Sequence, residues 1–513
     1  MSNSCCPIGG KRSTRLLAHV VAVLLLLIAY PASSDTAPLD LSGFVERGMA
    51  LWHVPGMAVS VVSSDSVQFQ QGFGKTAEKN GAEVDEHTLF AIASTTKAMV
   101  VAGILMLADE GKLRLDDRVV EHLPELRFND PLLTRQLQVR DLLAHRTGLP
   151  STDFWSFFQD MPLHEQIRRL EAVPSAAPLR TRLIYQNTMY ELAGLLIQRL
   201  SGLRWDRFLE ARLWRPLGMD ETYGARGQIP DTKDYVRPYF FSGGELKPAA
   251  WDIPLDLAEA AGSAWSSLHD MSLWAQFLLR GGVTAGGQRL ISEAAFEEMF
   301  EPQQLASPED FYPTVQLTRP HWRSYGLAWF QQDFQGRKID FHTGSLSGLI
   351  ALIGLDRAGE RAVIVLGNRD HAEMRHALLW EVMDNSPPAV RRDWNLEVFE
   401  LYTSLAGKSD EQWAKTERGR LSGTRTSLPL NRYTGAYESA VMGQVSIVNS
   451  DGNLILRTDR VDISMSHWHL DTFLFEYEPY AMREFAGFSI GPNGSVSGFR
   501  LFGENFVAVS PTD

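Results

Sequence analysis

The feature that most constrains the fold is an uninterrupted apolar stretch, in which residues 98–108 are all apolar or glycine. It follows Lys97 and stops at Asp109-Glu110-Gly111, where a glycine can end a helix. A helix that is apolar on every side has no face suited to water. The sequence therefore predicts a buried helix with the rest of a domain wrapped around it.

A hydroxyl and an amine stand at the start of this helix. Ser94 and Lys97 are three residues apart, which places them on one face, one turn apart. Serine is a weak nucleophile without a base, and a buried lysine can serve because burial disfavours its ammonium form. The unpaired N–H groups of a helix N-terminus suit an oxyanion. Ser-x-x-Lys also occurs by chance as a cap and a solvated lysine, so the rest of the chain must decide.

Composition and charge narrow the class of protein. The chain has 513 residues, of which 44% are hydrophobic and 22% charged, as in globular proteins with a large core. Its net charge of −13 makes nucleic acid and acidic lipid surfaces poor partners. Cys5 and Cys6 are the only cysteines, and both lie in the N-terminal leader. The mature chain therefore has no disulfide, thiol nucleophile or cysteine metal site.

The leader has the pattern of a secretory signal peptide. Lys11, Arg12 and Arg15 precede an apolar run at 16–29, and small residues at 32–34 suit cleavage before Asp35. A membrane anchor is the alternative, but the run falls short of the roughly 20 residues that a span needs. We predict a signal peptide at 1–34, a secreted, periplasmic protein and no stable membrane anchor.

The pattern of strands and helices predicts an α/β (α+β) domain at 35–386. A hairpin is indicated at 57–62 and 67–74, and 116 to about 279 is helical in pattern. Strand-like runs return at 325–334, 338–343, 349–355 and 361–366. Strands at both ends predict one antiparallel sheet, flanked by helices and built from both ends of the domain, with an inserted helical lobe.

The C-terminal part changes character. After Asn385-Ser386-Pro387-Pro388 a charged, helix-prone linker covers 387–427. From 428 to 513, short strands at turn-marked intervals predict a separate all-β domain, a small barrel or a sandwich.

Two further motifs join the first. Tyr185-Gln186-Asn187 precedes a helical segment, and His342-Thr343-Gly344-Ser345 ends a predicted strand. With Ser94-x-x-Lys97, in this order, the sequence resembles the serine β-lactamase and penicillin-binding-protein group, specifically its class C-like branch. The resemblance covers about residues 40 to 385, and the C-terminal part looks like the β-barrel-like module often appended to such hydrolases.

The resemblance implies roles for the reacting residues. Ser94 would attack a carbonyl and form an acyl-enzyme, with Lys97 and Tyr185 sharing its proton and Tyr185 as the general base. A phenol has an unperturbed pKa of about 10, so this role needs positive charge from Lys97 and His342 to lower the pKa of Tyr185.

The resemblance also implies a substrate-binding set. Asn187 would hold the substrate amide and Lys97, and the backbone N–H groups of Ser94 and Ser345 would form an oxyanion hole. Gly344, beside Thr343, would let the substrate approach the strand edge.

His342 departs from the better-known β-lactamases, which carry lysine at this position. Lysine stays positive and holds a substrate carboxylate, whereas histidine is largely neutral above pH 7. This departure disfavours efficient penicillin hydrolysis and favours esters, amides or peptides containing D-amino acids. We expect a serine hydrolase of D,D-carboxypeptidase or aminopeptidase type.

Several alternatives stay open at this point. A short-chain carboxylesterase or a weak β-lactamase would share the same motifs. A non-catalytic penicillin-binding sensor would acylate and stay acylated. The C-terminal module could itself bind cell-wall glycan or a partner subunit.

No metal or cofactor is expected. His467 and His469 share one face of a strand and could bind a metal, but two ligands without a nearby carboxylate favour packing instead. The expected partner is a small-molecule or short-peptide substrate. Formation of a homo-oligomer through the C-terminal domain is an open alternative.

Overall fold

The computed structural model describes residues 39–250, 259–478 and 482–509. The predicted signal peptide, with Cys5 and Cys6, lies outside the described residues, so it stays a prediction. Asp40–Asp513 form one compact unit. None of the helices in the described ranges combines the length and apolar character needed to cross a bilayer.

The first domain has twelve strands in the described chain, and antiparallel strands from both of its ends form its central sheet. The strands are β1 (Gly56–Val62), β2 (Val67–Gly74), β3 (Leu89–Ala91), β4 (Tyr239–Ser242), β5 (Glu245–Pro248), β6 (Trp265–Ser267), β7 (Gln304–Leu305), β8 (Arg323–Tyr325), β9 (Phe330–Phe334), β10 (Arg337–Leu346), β11 (Leu349–Asp356) and β12 (Arg361–Gly367). In the described chain the main sheet has eight strands, in the order β2-β1-β12-β11-β10-β9-β8-β7. β3 pairs with β6 and β4 with β5.

The sheet confirms the predicted fold, with one correction in its strands. The first hairpin joins the later strands through β1 and β12, where Val59 pairs with Val365. The predicted strand at 325–334 was wrong as one element, because the chain turns between β8 and β9 at Ala328, whose φ is +66°. That left-handed conformation is uncommon for a residue with a Cβ and cannot continue a strand.

The helices lie mostly between β3 and β7 and cover the sheet. Their bounds are α1 (Ser42–Trp52), α2 (Thr96–Asp109), α3 (Val119–His122), α4 (Pro131–Gln136), α5 (Val139–Leu143), α6 (Phe154–Phe158), α7 (Leu163–Arg169), α8 (Thr188–Ser201), α9 (Trp205–Leu209), α10 (Arg215–Leu217), α11 (Leu268–Leu279), α12 (Glu293–Phe300), α13 (Val315–Thr318), α14 (Met374–Met383) and α15 (Trp394–Arg418). The predicted buried helix is α2, which packs against α8, α9 and α12.

The C-terminal strands close into a barrel. They are β13 (Gly435–Ser439), β14 (Gly443–Ser450), β15 (Asn453–Arg457), β16 (Asp462–His469), β17 (Thr472–Tyr477), β18 (Met482–Ile490), β19 (Val496–Leu501) and β20 (Glu504–Ala508). Each pairs with its neighbour, and β20 pairs with β13, so the barrel, rather than the sandwich, is the observed form. β18 and β20 were not predicted. The limits at 386 and 427 stay predictions; α15 lies within the predicted linker.

The barrel packs on the helical lobe. Trp155 on α6 donates through Nε1 to the carbonyl of Val441 at 2.8 Å. Arg169, the last residue of α7, donates to the carbonyl of Ala440 at 2.9 Å. The Phe158 ring stacks on Phe502 of the barrel, with centroids 6.1 Å apart. The lobe segment that precedes α7 is therefore held between the sheet domain and the barrel.

Candidate active site

The turn before α2 presents Ser94. Ala93 has a φ of +45°, and Ala93–Thr95 form a single 3₁₀ turn that runs directly into α2. Such a conformation costs an alanine roughly 1–3 kcal/mol and persists where the surroundings impose it. Within residues 88–107, Ser94 is the only one that is not buried. The backbone therefore turns one hydroxyl out of a buried segment.

Lys97 lies beneath that hydroxyl and is fully buried. Its Nζ is 3.0 Å from Ser94 Oγ and 2.7 Å from Asn187 Oδ1, and it donates to the carbonyl of Ala261 at 2.6 Å. Burial lowers the pKa of Lys97 to about 7, against the opposing effect of nearby carboxylates. The predicted contact between Ser94 and Lys97 is present, and near pH 7 a large share of Lys97 is a neutral amine, able to take a proton.

Tyr185 lies beside this pair. Lys97 Nζ is 5.0 Å from the centroid of the Tyr185 ring, and His145 packs on the ring at 4.1 Å between centroids. The Tyr185 hydroxyl is buried and has no hydrogen-bond partner within the described ranges. Burial raises its pKa well above the ordinary value, and the nearby Ser94 hydroxyl offsets this only partly. The expected lowering of the Tyr185 pKa is wrong for the free protein, whereas the role of Tyr185 as the general base stays a prediction.

His342 does not supply the charge expected of it. It is 1% exposed, with Nδ1 2.6 Å from the carbonyl oxygen of Thr343 and Nε2 3.0 Å from the hydroxyl of Tyr325. Burial and the neighbouring Lys97 lower the pKa of His342 to about 3, so the ring is neutral. The Thr343 hydroxyl is also engaged, 2.5 Å from the hydroxyl of Tyr312. Both side chains of β10 are therefore already bonded to tyrosines of the protein, His342 to Tyr325 and Thr343 to Tyr312.

Gly344 packs against the turn that carries Ser94. A Cβ at this position would lie 2.5 Å from the carbonyl oxygen of Ile92 and 3.0 Å from the nitrogen of Ser94. The glycine lets β10 pack directly against the nucleophile turn. This close approach brings Ser345 to the edge of the same cavity as Ser94. The approach of a substrate at Gly344 stays a prediction.

Arg375 on α14 was missed by sequence reasoning. It is buried and donates through Nη1 to the Gly344 carbonyl at 2.6 Å and to Ser345 Oγ at 2.8 Å. Its Nε and Nη2 also donate to Glu373 at 3.0 and 3.1 Å. The only sequence signal was a charged pair, Glu373 and Arg375, at the start of an apolar helix. Arg375 is a positioning residue that fixes the end of β10.

We expect Arg375→Lys to lower kcat by about 10- to 100-fold with a smaller change in KM, because a lysine keeps the charge but cannot hold Gly344, Ser345 and Glu373 together. Steady-state kinetics and thermal unfolding would measure both effects. Arg457→Lys, which alters an exposed barrel ion pair with Asp462, is the matched control. An unaltered kcat in Arg375→Lys would contradict the positioning role.

Ser94 opens onto a small cavity of about 70 Å³. Its described lining includes Asn187, Ser345, Ala261 and Gly262, together with three acidic residues, Asp153, Glu191 and Glu259. A neighbouring cavity of about 270 Å³ shares Asp153 and Phe157 and is bounded on its other side by Val441, Met482 and Phe502 of the barrel. These acidic residues are far apart in sequence, so no local motif predicted that they would lie together.

Among the residues that the structure describes, one group of side chains has the spacing of a metal site, and its members also contact other residues. Potential ligand atoms of Glu221, His269 and Asp270 lie within 4.8 Å of one another. Glu221 already pairs with Lys233 and His87, at 2.5 and 3.0 Å. In the barrel, His467 Nε2 lies 2.9 Å from the carbonyl of Leu470, while His469 accepts from the backbone of Leu421 at 3.4 Å. The Glu221 group and the two barrel histidines are therefore engaged in hydrogen bonds within the protein.

Comparison with known proteins settles the family. The family model described as Beta-lactamase matches residues 41–385, and a second, described as a domain of unknown function (DUF3471), matches residues 420–511. The chain belongs to the beta-lactamase family. It is a serine hydrolase of this family, with a closed eight-stranded barrel at its C-terminal end.

Individual relatives agree with this assignment. The chain is 28% identical over 466 residues to the unguisins hydrolase ungD' of Aspergillus campestris, covering 84% of this chain and 81% of that protein. Its fold is similar to the octameric penicillin-binding protein homologue from Pyrococcus abyssi, with a TM-score of 0.57, 22% identity, and coverage of 91% and 99% of the two chains. It is also similar to the D-amino acid amidase from Ochrobactrum anthropi SV3 complexed with D-phenylalanine, with a TM-score of 0.55, 22% identity, and coverage of 67% and 97%.

Proposed function

We propose that this beta-lactamase family member is a secreted, periplasmic hydrolase that forms an acyl-enzyme on Ser94. Its substrates are amides or esters of small molecules, foremost peptides that contain D-amino acids. The observation that carries the proposal is the buried Lys97 amine, 3.0 Å from Ser94 Oγ, with a pKa of about 7. Secretion is supported by the leader pattern at 1–34.

The first half of the reaction follows from these contacts. The neutral amine of Lys97 takes the Ser94 hydroxyl proton as Ser94 Oγ bonds to the substrate carbonyl carbon. Asn187, bound to Lys97, fixes the direction of the amine. The N–H groups of Ser94 and Ser345 stabilise the oxyanion, since Gly344 brings the two segments together. The carbon–nitrogen or carbon–oxygen bond then breaks, and the proton passes from Lys97 through the Tyr185 hydroxyl to the leaving group.

The second half releases the product. A water molecule attacks the acyl carbon and gives a proton to Lys97. The bond between Ser94 Oγ and the acyl carbon breaks, a carboxylic acid leaves, and Ser94 recovers its proton. Microscopic reversibility assigns the same groups to both halves.

The substrate class is supported by two observations. The relatives named above include a D-amino acid amidase and an unguisins hydrolase, which supports amide substrates. The neutral, buried His342 gives no cation for the carboxylate of a penicillin. This supports peptides and amides over β-lactams.

A substrate panel tests the proposal. The purified protein would be mixed with D-amino acid amides, a D-Ala-D-Ala peptide, a short p-nitrophenyl ester and a penicillin, and product release would be followed for each. We expect turnover of D-amino acid amides or peptides, with penicillin turned over slowest. Turnover of the ester alone would support a carboxylesterase. Stable labelling by penicillin without turnover of any compound would support a sensor and contradict the proposal.

We expect Tyr185→Phe to lower amide turnover by about a hundredfold to ten-thousandfold. The loss should be smaller for a p-nitrophenyl ester, because p-nitrophenolate leaves without needing a proton. Kinetics on both substrates would measure the difference. Tyr223→Phe is the matched control on a half-buried tyrosine outside the cavity lining. Equal losses on amide and ester would contradict the relay role of Tyr185.

A further inference from the structure

The cavity beside Ser94 is acidic. Asp153, Glu191 and Glu259 line it, and the described lining contains no lysine or arginine. Lys97 lies beneath the cavity but is committed to Ser94, Asn187 and Ala261. Arg375, which holds the end of β10, is committed to Glu373 and Gly344. The ionisable groups in the described lining are therefore carboxyl groups, with no lysine or arginine among them.

The three carboxyl groups differ in what already binds them. Glu191 accepts from the backbone N–H groups of Ala260 and Ala261 at 3.1 and 2.8 Å. This holds the carbonyl of Ala261 where Lys97 needs it, so Glu191 has a structural purpose. Glu259 lies near the guanidinium of Arg460 on the barrel, which lowers its pKa against the stronger effect of burial.

Asp153 is only partly engaged: hydrogen bonds from Ser151 and Asn187 and the charge of Lys97 oppose the rise of its pKa that burial causes. Its Oδ1 atom is buried and has no hydrogen-bond partner among the described residues. A buried carboxylate oxygen without a donor costs the folded protein free energy, which a cationic ligand would recover. Asp153 also lies where the two cavities meet. A group bound there is adjacent to the carbonyl that Ser94 attacks.

We infer that the Asp153 side of this cavity binds the free ammonium group of the substrate, so that the acyl part cleaved by Ser94 is an amino acid with an unblocked amine. The inference rests on the proposed function and narrows it, from hydrolysis of small amides in general to aminopeptidase or amino acid amidase action. N-acylated substrates and substrates that must place a carboxylate in this cavity are disfavoured. The larger neighbouring cavity, walled by Phe157, Phe158 and the barrel, is available to the rest of the ligand.

Burial favours the protonated form of the three carboxyl groups in the free protein. Burial raises the pKa of Glu191 to about 7 and of Glu259 to about 8, and it raises the pKa of Asp153 as well. An arriving ammonium group favours the ionised carboxylates, because an opposite charge in a desolvated site lowers a carboxyl pKa.

The test compares matched substrates on wild type and Asp153→Asn. D-alanine and D-phenylalanine p-nitroanilides and p-nitrophenyl esters would each be assayed with a free and with an N-acetylated amine. We expect wild type to favour the free amines at least about tenfold in kcat/KM. In Asp153→Asn this preference should fall by about 10- to 100-fold, as expected when a charge-assisted hydrogen bond is lost. Asp451→Asn, on an exposed barrel turn where φ is +52° and asparagine fits, is the control and should keep the wild-type preference.

The outcomes separate the inference from the function on which it rests. If wild type cleaves the acetylated substrates as fast as the free amines, the hydrolase stands and the ammonium site is refuted. If Asp153→Asn lowers kcat/KM equally for the free-amine and the N-acetylated substrates, Asp153 does not bind the amine, and the inference is likewise refuted. If wild type cleaves neither kind and Ser94 acquires no acyl group, the proposed function fails and the inference fails with it. Should Asp153→Asn not fold, the wild-type preference and a Glu259→Gln variant give the same comparison.

Discussion

Ser94→Ala is expected to abolish turnover of every substrate that the wild type cleaves, by about a thousandfold to a millionfold in kcat. The substitution removes the one hydroxyl that the nucleophile turn presents to the cavity, and nothing else in the described lining is both nucleophilic and in contact with Lys97. The fold should survive, because the contacts of the Ser94 hydroxyl are to the polar side chains of Lys97 and Tyr185 rather than to the apolar core. Its neighbours in α2 are buried through apolar packing.

The measurement is steady-state kinetics beside a thermal unfolding curve. The Tm of Ser94→Ala should stay within a few degrees of wild type. Ser66→Ala, on an exposed turn of the first hairpin, is the matched control and should keep full activity. A Ser94→Ala protein that is folded and still active would show that Ser94 is not the nucleophile.

Lys97→Met is the second large effect, with an expected loss of about a thousandfold or more in kcat. Methionine has a similar length and suits a fully buried site, but it cannot accept the proton of Ser94. The pH profile gives an independent reading. The active form of Lys97 is the neutral amine, and its pKa is about 7, so wild-type kcat/KM should rise as pH increases through that region. The apparent pKa belongs to the cluster, since Glu191 and Glu259 titrate nearby.

In Lys97→Met the residual rate should lose this dependence. Lys79→Met removes an exposed lysine and should leave both the rate and the profile as in wild type. Retention of more than a tenth of the activity by Lys97→Met, with the same rise in pH, would place the base elsewhere.

Much of this site was predictable, because its parts are local. The apolar run after Lys97 suits only the protein interior. The spacing of Ser94 and Lys97 brings their side chains into contact once the helix forms. The hairpin and the late apolar strands likewise predicted a sheet built from both ends of the domain. Along short segments in which the apolar periodicity agrees with the burial, the sequence alone predicted the helix or strand.

The remaining features depend on contacts between distant segments. The meeting of Asp153, Glu191 and Glu259 is set by the packing of the lobe, and no spacing encodes it. The neutrality of His342 follows from its burial against Tyr325, and the raised pKa of Tyr185 from its own burial. A motif gives residue types and order, but their desolvation is a property of the assembled core.

The barrel prediction shows the same limit. Alternation identified most strands, but β18 contains Arg483, Glu484 and Gly487, and β20 is a short strand that closes the barrel on β13. Pairing with a neighbour, rather than local propensity, makes these segments strands. Homo-oligomer formation through the barrel stays a prediction.

The most direct test of the central claim is to trap the acyl-enzyme and find the residue that bears it. Wild type and Ser94→Ala would be mixed with a slowly cleaved ester, quenched in acid within the first turnovers, and measured by intact-mass spectrometry followed by peptide mapping. We expect the mass of one acyl group on wild type, mapped to the peptide that contains Ser94, and no adduct on Ser94→Ala. An acyl group on another residue, or an adduct that persists in Ser94→Ala, would contradict the account.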